Sequence, residues 1–286
     1  CGIVGYIGKK QAFPIIINGL KRLEYRGYDS AGIALLSDTN QLNIYKKKGK
    51  VVNLEEAAEG KDISGNIGIG HTRWATHGEA NDLNAHPHFN ATEDLAVIHN
   101  GIIENYYALK TELQSRGYKF RSETDTEVLV HLIEEIQKNV ECSLEEAVRL
   151  ALNEVIGAYA IVVISKKEND KLIAAKLSSP LVIGFGENEL FVASDGSPLI
   201  EHTKKVSYLE DGQMTVLHAN GKVDVKSIKD NTTHVPYIDE LQLKLEQIEK
   251  GGFDHFMMKE IHEQPQAIKN SIRGRIDSQQ FWVNLG

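Results

Sequence analysis

The stretch Cys1-Gly2-Ile3-Val4-Gly5-Tyr6-Ile7-Gly8 opens the chain and predicts its first structural element. A short apolar run rich in β-branched residues is typical of a buried β-strand. Cys1 would then lie at the end of that strand and carry both a thiol and an α-amino group. A thiolate attacks carbonyl carbons, and an α-amino group with an ordinary pKa of about 7.7 to 8.0 can take a proton near neutral pH. The first residue therefore predicts an N-terminal nucleophile of the amidase type.

Cys1 also has three simpler interpretations, which stay open at this point. It can be a remnant of tag removal, a lipid-bearing cysteine exposed by signal-peptide cleavage, or an ordinary buried cysteine. A lipid-bearing cysteine usually needs a polar, flexible tether, whereas residues 2–8 are apolar. This difference favours a cysteine held at a strand end, and the remaining sequence has to decide its role.

Composition narrows the class of protein. The chain has 286 residues, 41% of them hydrophobic, enough to bury one large domain or one domain with an appendage. Its apolar runs, such as 158–164, are much shorter than the ~18 residues of a membrane helix, so no membrane span is expected. The net charge of −8 opposes nonspecific attraction to nucleic acid. A reactive Cys1 must stay reduced, which predicts a cytoplasmic location, and the other cysteine, Cys142, is expected to be structural.

The pattern of strands and helices predicts an α+β fold. Strand-like runs occur at both ends of the chain and helices gather between them, which predicts two mainly antiparallel sheets facing each other with helices outside. The predicted helices are 11–24, 105–115, 126–137 and 144–155. The predicted strands are 2–8, 30–36, 66–72, 94–99, 160–164, 171–177, 181–184, 189–193, 213–218 and 222–226. The basic run 46–50 is predicted to be a solvated hairpin turn.

The C-terminal part differs from the rest. The polar stretch 232–239, which contains Pro236, suggests a boundary, so the predicted main domain is 1–240. An amphipathic helix is expected over 241–248. Beyond it, apolar residues have little chain left to bury them, and we expect 241–286 to be a linker and the start of a part that continues beyond this chain.

The first polar cluster, 70–78, follows a predicted strand and contains Arg73, Trp74, Thr76 and His77. A guanidinium group can hold a carboxylate with two parallel hydrogen bonds, and hydroxyl and imidazole groups add further donors. The cluster therefore suits a substrate carboxylate. The alternative is a loop in which Arg73 pairs with a structural acid and Trp74 only packs.

Two further polar clusters provide oxyanion donors and a carboxylate. Within 99–105, the Asn100 amide and the Gly101 N–H are two donors that can converge on a developing oxyanion, although Asn-Gly is also a strong turn signal. Within 122–127, Asp125 can bind an ammonium group, although an acidic helix N-terminus is the simpler interpretation.

Histidines invite a metal-binding hypothesis. His86 and His88 flank Pro87, and His71, His77 and His99 lie in neighbouring motifs. Spacing alone does not supply a ligand set, and structural hydrogen bonding accounts for the same residues. We expect neither a metal nor another cofactor.

Taken together, these motifs resemble the glutamine amidotransferases of the N-terminal-nucleophile class, and within them the glutaminase domains of fructose-6-phosphate amidotransferases. The motif Tyr-Arg-Gly-Tyr-Asp-Ser at 25–30 favours this group over purine-pathway amidotransferases and asparagine synthetases. Residues 256–265 resemble the passage into the sugar-phosphate isomerase part of those enzymes. The segments that carry the resemblance are CGIVGYIG at 1–8, LEYRGYDSAGIA at 23–34, GHTRWATHGE at 70–79, NAHPH at 84–88, HNGIIEN at 99–105 and SETDTEV at 122–128.

The resemblance implies a four-layer αββα sandwich with Cys1 where the sheets meet. It implies that Cys1 attacks the L-glutamine carboxamide and that Asn100 and Gly101 hold the oxyanion. The other implied roles belong to substrate binding: Arg73 with Thr76 and His77 on the α-carboxylate, Asp125 on the ammonium, Trp74 on a closing loop, and Arg26 near the nucleophile.

The resemblance also implies partners. Fructose 6-phosphate would be reached only through the isomerase part, in the route to glucosamine 6-phosphate and UDP-N-acetylglucosamine, and the parent protein would be a homo-oligomer. Two alternatives stay open. One is an amidotransferase that supplies ammonia to a different acceptor, and the other is a silent domain that binds glutamine as a sensor.

Overall fold

The computed structural model describes residues 1–241, 252–272, 276–277 and 282–283. Contacts between residues divide the chain into two units, with the division after residue 242. The interpretation of 241–286 as a linker and the start of a further part stays a prediction. The helix predicted over 241–248 lies, apart from Leu241, outside the described residues.

The strand predicted at the start of the chain lies in the middle of the first sheet. Every neighbouring pair in this sheet is antiparallel. In spatial order its eight strands are β15 (Asp239–Glu240), β11 (Lys205–Tyr208), β9 (Val182–Phe185), β10 (Leu190–Ala193), β1 (Gly2–Ile7), β4 (Ile67–Arg73), β2 (Ser30–Leu36) and β3 (Leu42–Lys48). The strand predicted over 2–8 is confirmed, and it ends one residue earlier, at Ile7.

The second sheet is antiparallel throughout as well. In spatial order its seven strands are β14 (Thr233–His234), β13 (Val223–Ser227), β12 (Gln213–His218), β8 (Lys171–Leu177), β7 (Gly157–Ser165), β6 (Leu95–Ile103) and β5 (His88–Phe89). Side chains alternate between the two faces of a strand. On β6, Ile98 therefore belongs to the core shared with the first sheet, whereas Val97 belongs to the core under the helices.

Helices cover the outer faces of both sheets. Helix α1 (Ala12–Leu23) packs on β1 and β4, and α2 (Val51–Ala58) packs on β2 and β3. On the second sheet, α4 (Glu127–Val140) lies against β5 and β6 and pairs with α5 (Leu144–Glu154), and α3 (Tyr106–Ser115) packs on α4. The predicted α+β fold with its four layers is confirmed, because each layer buries its apolar face against the next.

Two local predictions were wrong. The basic run 46–50 is not a turn, since its first three lysines end strand β3, which lies at the edge of the first sheet. Lysines on an edge strand discourage pairing with another chain. The strand predicted to end at His99 continues to Ile103, so the Asn100-Gly101 pair lies inside β6 and is not a turn.

The second unit contains one described helix, α6 (Phe256–Ile272), and a short antiparallel pair of β16 (Ile276–Asp277) and β17 (Trp282–Val283). Across all the described residues of both units, we find no helix with the length and apolar character needed to cross a membrane.

Candidate active site

The site lies where the strand ends of the two sheets meet. In the first sheet, β1 pairs with β4 in a register that sets Gly2 opposite Thr72, so Cys1 lies beside the end of β4. A cavity of about 350 Å³ opens there. Its lining includes all nine residues predicted for the site, namely Cys1, Arg26, Arg73, Trp74, Thr76, His77, Asn100, Gly101 and Asp125. The fold therefore brings together residues that lie up to 124 positions apart in the chain.

Backbone groups hold both functional parts of Cys1. Its α-amino nitrogen donates to the Arg26 carbonyl at 2.8 Å, and its Sγ accepts the Trp74 N–H at 3.2 Å. Gly2 lets the chain pass close to α1, since a Cβ there would lie 2.6 Å from the Leu23 Cβ and 2.8 Å from the Thr72 Oγ1. The thiol can itself donate to the Trp74 carbonyl oxygen at 3.6 Å, so the backbone of Trp74 holds the sulfur through both its N–H and its C=O.

The α-amino group of Cys1 is an unusually good base for neutral pH. Its pKa is lowered from 8.0 to about 6, chiefly by burial and also by the Arg26 guanidinium, while the Asp29 carboxylate opposes both effects. Burial acts in this direction because it disfavours the charged form. At pH 7 most molecules would therefore carry a neutral amine at Cys1.

Asn100 and Gly101 lie side by side at the rim of the cavity. The Asn100 side chain is nearly buried, and its Nδ2 lies 3.5 Å from the Cys1 carbonyl oxygen. Gly101 has a φ of +131°, and a Cβ there would lie 2.0 Å from the Ala158 carbonyl oxygen. Only glycine fits this position of β6, so the Asn-Gly pair serves a strand with an unusual backbone and not a hairpin.

Arg73 ends strand β4 and organises the loop that follows it. Its guanidinium donates to three carbonyls of residues 77–79, including Gly78 at 3.1 Å and Glu79 at 3.2 Å. The base of the same loop is held by Asp29, which accepts the Ala75 N–H. These contacts use three of the five guanidinium N–H groups, so donors remain for a ligand.

Asp125 lies two residues before Glu127, the first residue of α4. Its Oδ2 accepts the Ile103 N–H at 2.8 Å, and the side chain is buried at 4% exposure. This contact joins the N-terminal end of α4 to the end of β6 and fixes the carboxylate at the cavity wall. A buried carboxylate with unused lone pairs is suited to a cationic ligand.

The remaining predicted residues lie at the mouth of the cavity. Trp74 is 60% exposed, and the Thr76 hydroxyl lies 3.2 Å from the His77 Nδ1. The Arg26 guanidinium turns towards Asp195, at 3.3 Å. Arg26 thus contributes its carbonyl to the site more directly than its side chain.

The histidines form a buried stack. The rings of His71 and His86 are stacked with centroids 4.2 Å apart, and His88 meets His86 edge-on at 4.8 Å. The His88 Nε2 lies 2.9 Å from the Thr124 hydroxyl. In the described part of the chain, no set of three or more His, Cys, Asp or Glu side chains is arranged to hold a metal ion.

Two residues with evident effects on the site received no role from the sequence. Asp29 raises the pKa of the Cys1 amine and holds the loop at Ala75, and His71 contacts Asn100. Both residues lie in motifs that carry the family resemblance. Their presence in those motifs without an assigned role was the signal that could have pointed to them. Their contacts join separate motifs and cannot be read from either motif alone.

Comparison with known proteins agrees with this geometry. Residues 55–242 match the family described as a glutamine amidotransferase domain. The chain belongs to this glutamine amidotransferase family.

Two curated relatives resemble the chain over almost its whole length. The chain is 58% identical, over 97% of its length, to a glutamine–fructose-6-phosphate aminotransferase (isomerizing) of Bacteroides thetaiotaomicron, of which it covers 45%. It is 54% identical over its whole length to the protein of the same name from Chlorobaculum tepidum, of which it covers 47%. The chain thus spans less than half the length of these curated relatives.

A solved structure supports the fold. The glutamine phosphoribosylpyrophosphate amidotransferase of B. subtilis is 28% identical and superposes with a TM-score of 0.69. The match covers 81% of this chain and 50% of that one.

Proposed function

We propose that this chain hydrolyses L-glutamine to glutamate and ammonia, with Cys1 as the nucleophile. The proposal rests mainly on one observation. The same cavity is lined by the Cys1 thiol, the Asn100 amide, the Arg73 guanidinium and the Asp125 carboxylate. These groups are a nucleophile, an oxyanion donor and binding partners for both charged ends of an amino acid.

The first half of the reaction forms a thioester. The Cys1 thiol gives its proton to its own α-amine, and the sulfur attacks the side-chain carboxamide carbon of glutamine. Negative charge develops on the carboxamide oxygen, where the Asn100 Nδ2 and the Gly101 N–H would stabilise it. The C–N bond then breaks, and the leaving nitrogen takes the proton from the ammonium group and departs as ammonia.

The second half releases glutamate. The α-amine takes a proton from a water molecule as that water attacks the thioester carbon. The C–S bond breaks, and the proton returns from the amine to the sulfur. Cys1 and its amine thus end the cycle in their starting states, and glutamine plus water has become glutamate plus ammonia.

The charged ends of the substrate would select glutamine. The free donors of Arg73, helped by Thr76 and His77, would hold the α-carboxylate. Asp125 would hold the ammonium group. Since Trp74 is exposed and its loop is tied to Arg73, we propose that this loop closes over bound glutamine and keeps water from the ammonia.

The relatives suggest what happens to the ammonia. We propose that the whole protein transfers it to fructose 6-phosphate and forms glucosamine 6-phosphate, since relatives at 58% and 54% identity are named for that sugar phosphate. The acceptor would be bound by the part of these relatives that lies outside the match to this chain. We also propose that the parent is a cytoplasmic homo-oligomer with no nucleic-acid partner.

Ammonia release is the direct test of the glutaminase proposal. The chain should release ammonia and glutamate from L-glutamine, while L-asparagine, one methylene shorter, should react far more slowly because its carboxamide falls short of Cys1 when both charged ends are bound. Coupled glutamate dehydrogenase detects the glutamate. Binding of glutamine without any turnover would instead support a sensor domain.

The rate should follow the protonation state of the Cys1 amine. Its pKa is lowered to about 6, and only the neutral amine can accept the thiol proton. We therefore expect kcat/KM for glutamine to rise as the pH increases through about 6 and to level off above about 7. A profile of kcat/KM against pH measures this inflection.

Asp29→Asn provides the matched control for that profile. The carboxylate of Asp29 raises the amine pKa, so its removal should move the inflection to lower pH. An amide oxygen can still accept the Ala75 N–H. An inflection near 8 in the unmodified chain would contradict the buried environment of the amine.

A further inference from the structure

Only one end of the Asn100 amide can serve an oxyanion. Nδ2 carries hydrogens and Oδ1 does not. If the amide were rotated by 180°, Oδ1 would face the oxyanion and repel its developing negative charge. Oδ1 lies 2.9 Å from the Nε2 of His71, whereas Nδ2 lies 3.5 Å from the Cys1 carbonyl oxygen. The group that holds Oδ1 therefore determines which end of the amide faces the reaction.

His71 can hold Oδ1 only if its proton is on Nε2. The ring is fully buried and neutral, since burial lowers the pKa of His71 to about 3. A neutral imidazole has one N–H. The His99 backbone carbonyl faces the ring and raises the His71 pKa as a hydrogen-bond acceptor, although its geometry falls short of a full hydrogen bond to Nδ1.

Comparison of the two tautomers favours Nε2–H. With the proton on Nε2, the ring donates to Oδ1 of Asn100. With the proton on Nδ1, the donor would have only the poorly placed His99 carbonyl as an acceptor, and the Nε2 lone pair would face the lone pairs of Oδ1. Buried N–H groups without partners are rare in folded proteins because they lose the bond they made to water.

A neighbouring histidine fixes the plane of the His71 ring. His86 stacks on it at 4.2 Å between centroids, and the His86 Nδ1 accepts the backbone N–H of His99 at 3.2 Å. That bond anchors His86 to the strand that carries Asn100. His71 belongs to β4 and Asn100 to β6, so the arrangement spans both sheets.

We propose that His71 is a positioning residue for the oxyanion hole. Its Nε2–H donates to the Asn100 Oδ1 and keeps the Nδ2 end directed at the oxygen that becomes negative during attack by Cys1. His71 acts through Asn100 and takes no proton from the substrate. The inference rests on the proposed glutaminase function.

The kinetic test removes or retains the donor. His71→Leu removes it, and we expect kcat for glutamine to fall by about 10- to 100-fold, as for a misplaced catalytic group, with KM changed less than about twofold because the substrate's charged ends bind elsewhere. His71→Gln is the matched control, since its side-chain amide can still donate from a similar distance. It should recover kcat to within about fivefold of the original chain, and thermal unfolding of each variant checks the fold.

The decisive measurement is a double-mutant cycle. Asn100→Ala alone should lower kcat by about 10²- to 10³-fold, the range for loss of one oxyanion donor. If His71 acts through Asn100, adding His71→Leu to Asn100→Ala should lower kcat by less than about threefold more, because coupled residues are non-additive. Full multiplication of the two losses would overturn the proposal.

A spectroscopic measurement tests the tautomer without any change at the site. In the chain labelled with ¹⁵N-histidine, the His71 signal, identified by its loss in His71→Gln, should show the one-bond proton coupling at Nε2. Coupling at Nδ1 would overturn the proposal.

The outcomes separate this inference from the proposed function. A chain that fails to hydrolyse glutamine refutes the glutaminase proposal itself. A chain that hydrolyses glutamine and is slowed by Asn100→Ala but unaffected by His71→Leu refutes only the positioning role.

Discussion

Replacing Cys1 by Ala should abolish glutamine hydrolysis, with kcat reduced by about 10⁵- to 10⁶-fold, the scale seen when a nucleophile is removed. Sγ is the one atom of this residue that can form the thioester. Because Cys1 is only half-buried, alanine should leave the fold intact. Steady-state ammonia release measures the loss, and calorimetric titration should still detect glutamine binding, since Arg73 and Asp125 are unchanged.

Cys142→Ala is the matched control, because Cys142 is the only other cysteine in the sequence and does not line the cavity. Its kcat should stay within about twofold of the original value, as expected for a substitution away from the site. Mass spectrometry after treatment with 6-diazo-5-oxo-norleucine should find the adduct on Cys1. Normal turnover in Cys1→Ala, or an adduct on Cys142 alone, would refute the assignment of the nucleophile.

The second large effect should come from one uncleaved glycine placed before Cys1. The thiol remains, but the α-amine becomes an amide nitrogen that cannot accept a proton. We expect kcat to fall by about 10⁴-fold, the upper range for loss of a general base. Ammonia release by the extended chain measures the effect, and its intact mass verifies that the glycine has been retained.

A removable extension provides the control. The same chain with a protease site ahead of Cys1 should be inactive before cleavage and regain the original kcat afterwards. This comparison keeps every side chain constant and varies only the state of the terminal nitrogen. An extended chain with undiminished activity would show that the amine is not the base.

Much of the fold follows from local patterns. Strand β2 was predicted with its observed bounds, and α1 differs from its prediction by one residue at each end. These elements have strong apolar periodicity and clear ends. The end of β6 was misplaced because Asn-Gly normally marks a turn, whereas here the glycine meets a steric demand of the Ala158 carbonyl from the neighbouring strand.

The candidate site, like the fold, was predictable from the sequence only in part. Its nine residues were predicted from the motifs they occupy, and they line one cavity. The sequence did not indicate that the Arg26 guanidinium turns to Asp195, that Asp29 acts on the Cys1 amine, or that His71 holds Asn100. Each of these contacts joins segments that are distant in sequence, so no local pattern contains it.

The amino-acid sequence alone specifies the chemical groups of this protein: a leading cysteine, an amide beside a glycine, an arginine in a polar loop and an acid before a helix. Those choices depend only on residue type and on short-range periodicity. The tertiary structure determines how these groups act. Folding buries the Cys1 amine, which lowers its pKa, and it orients the Asn100 amide through a residue of the opposite sheet. Burial and hydrogen-bond direction depend on neighbours in space, and those neighbours come together only when the two sheets pack.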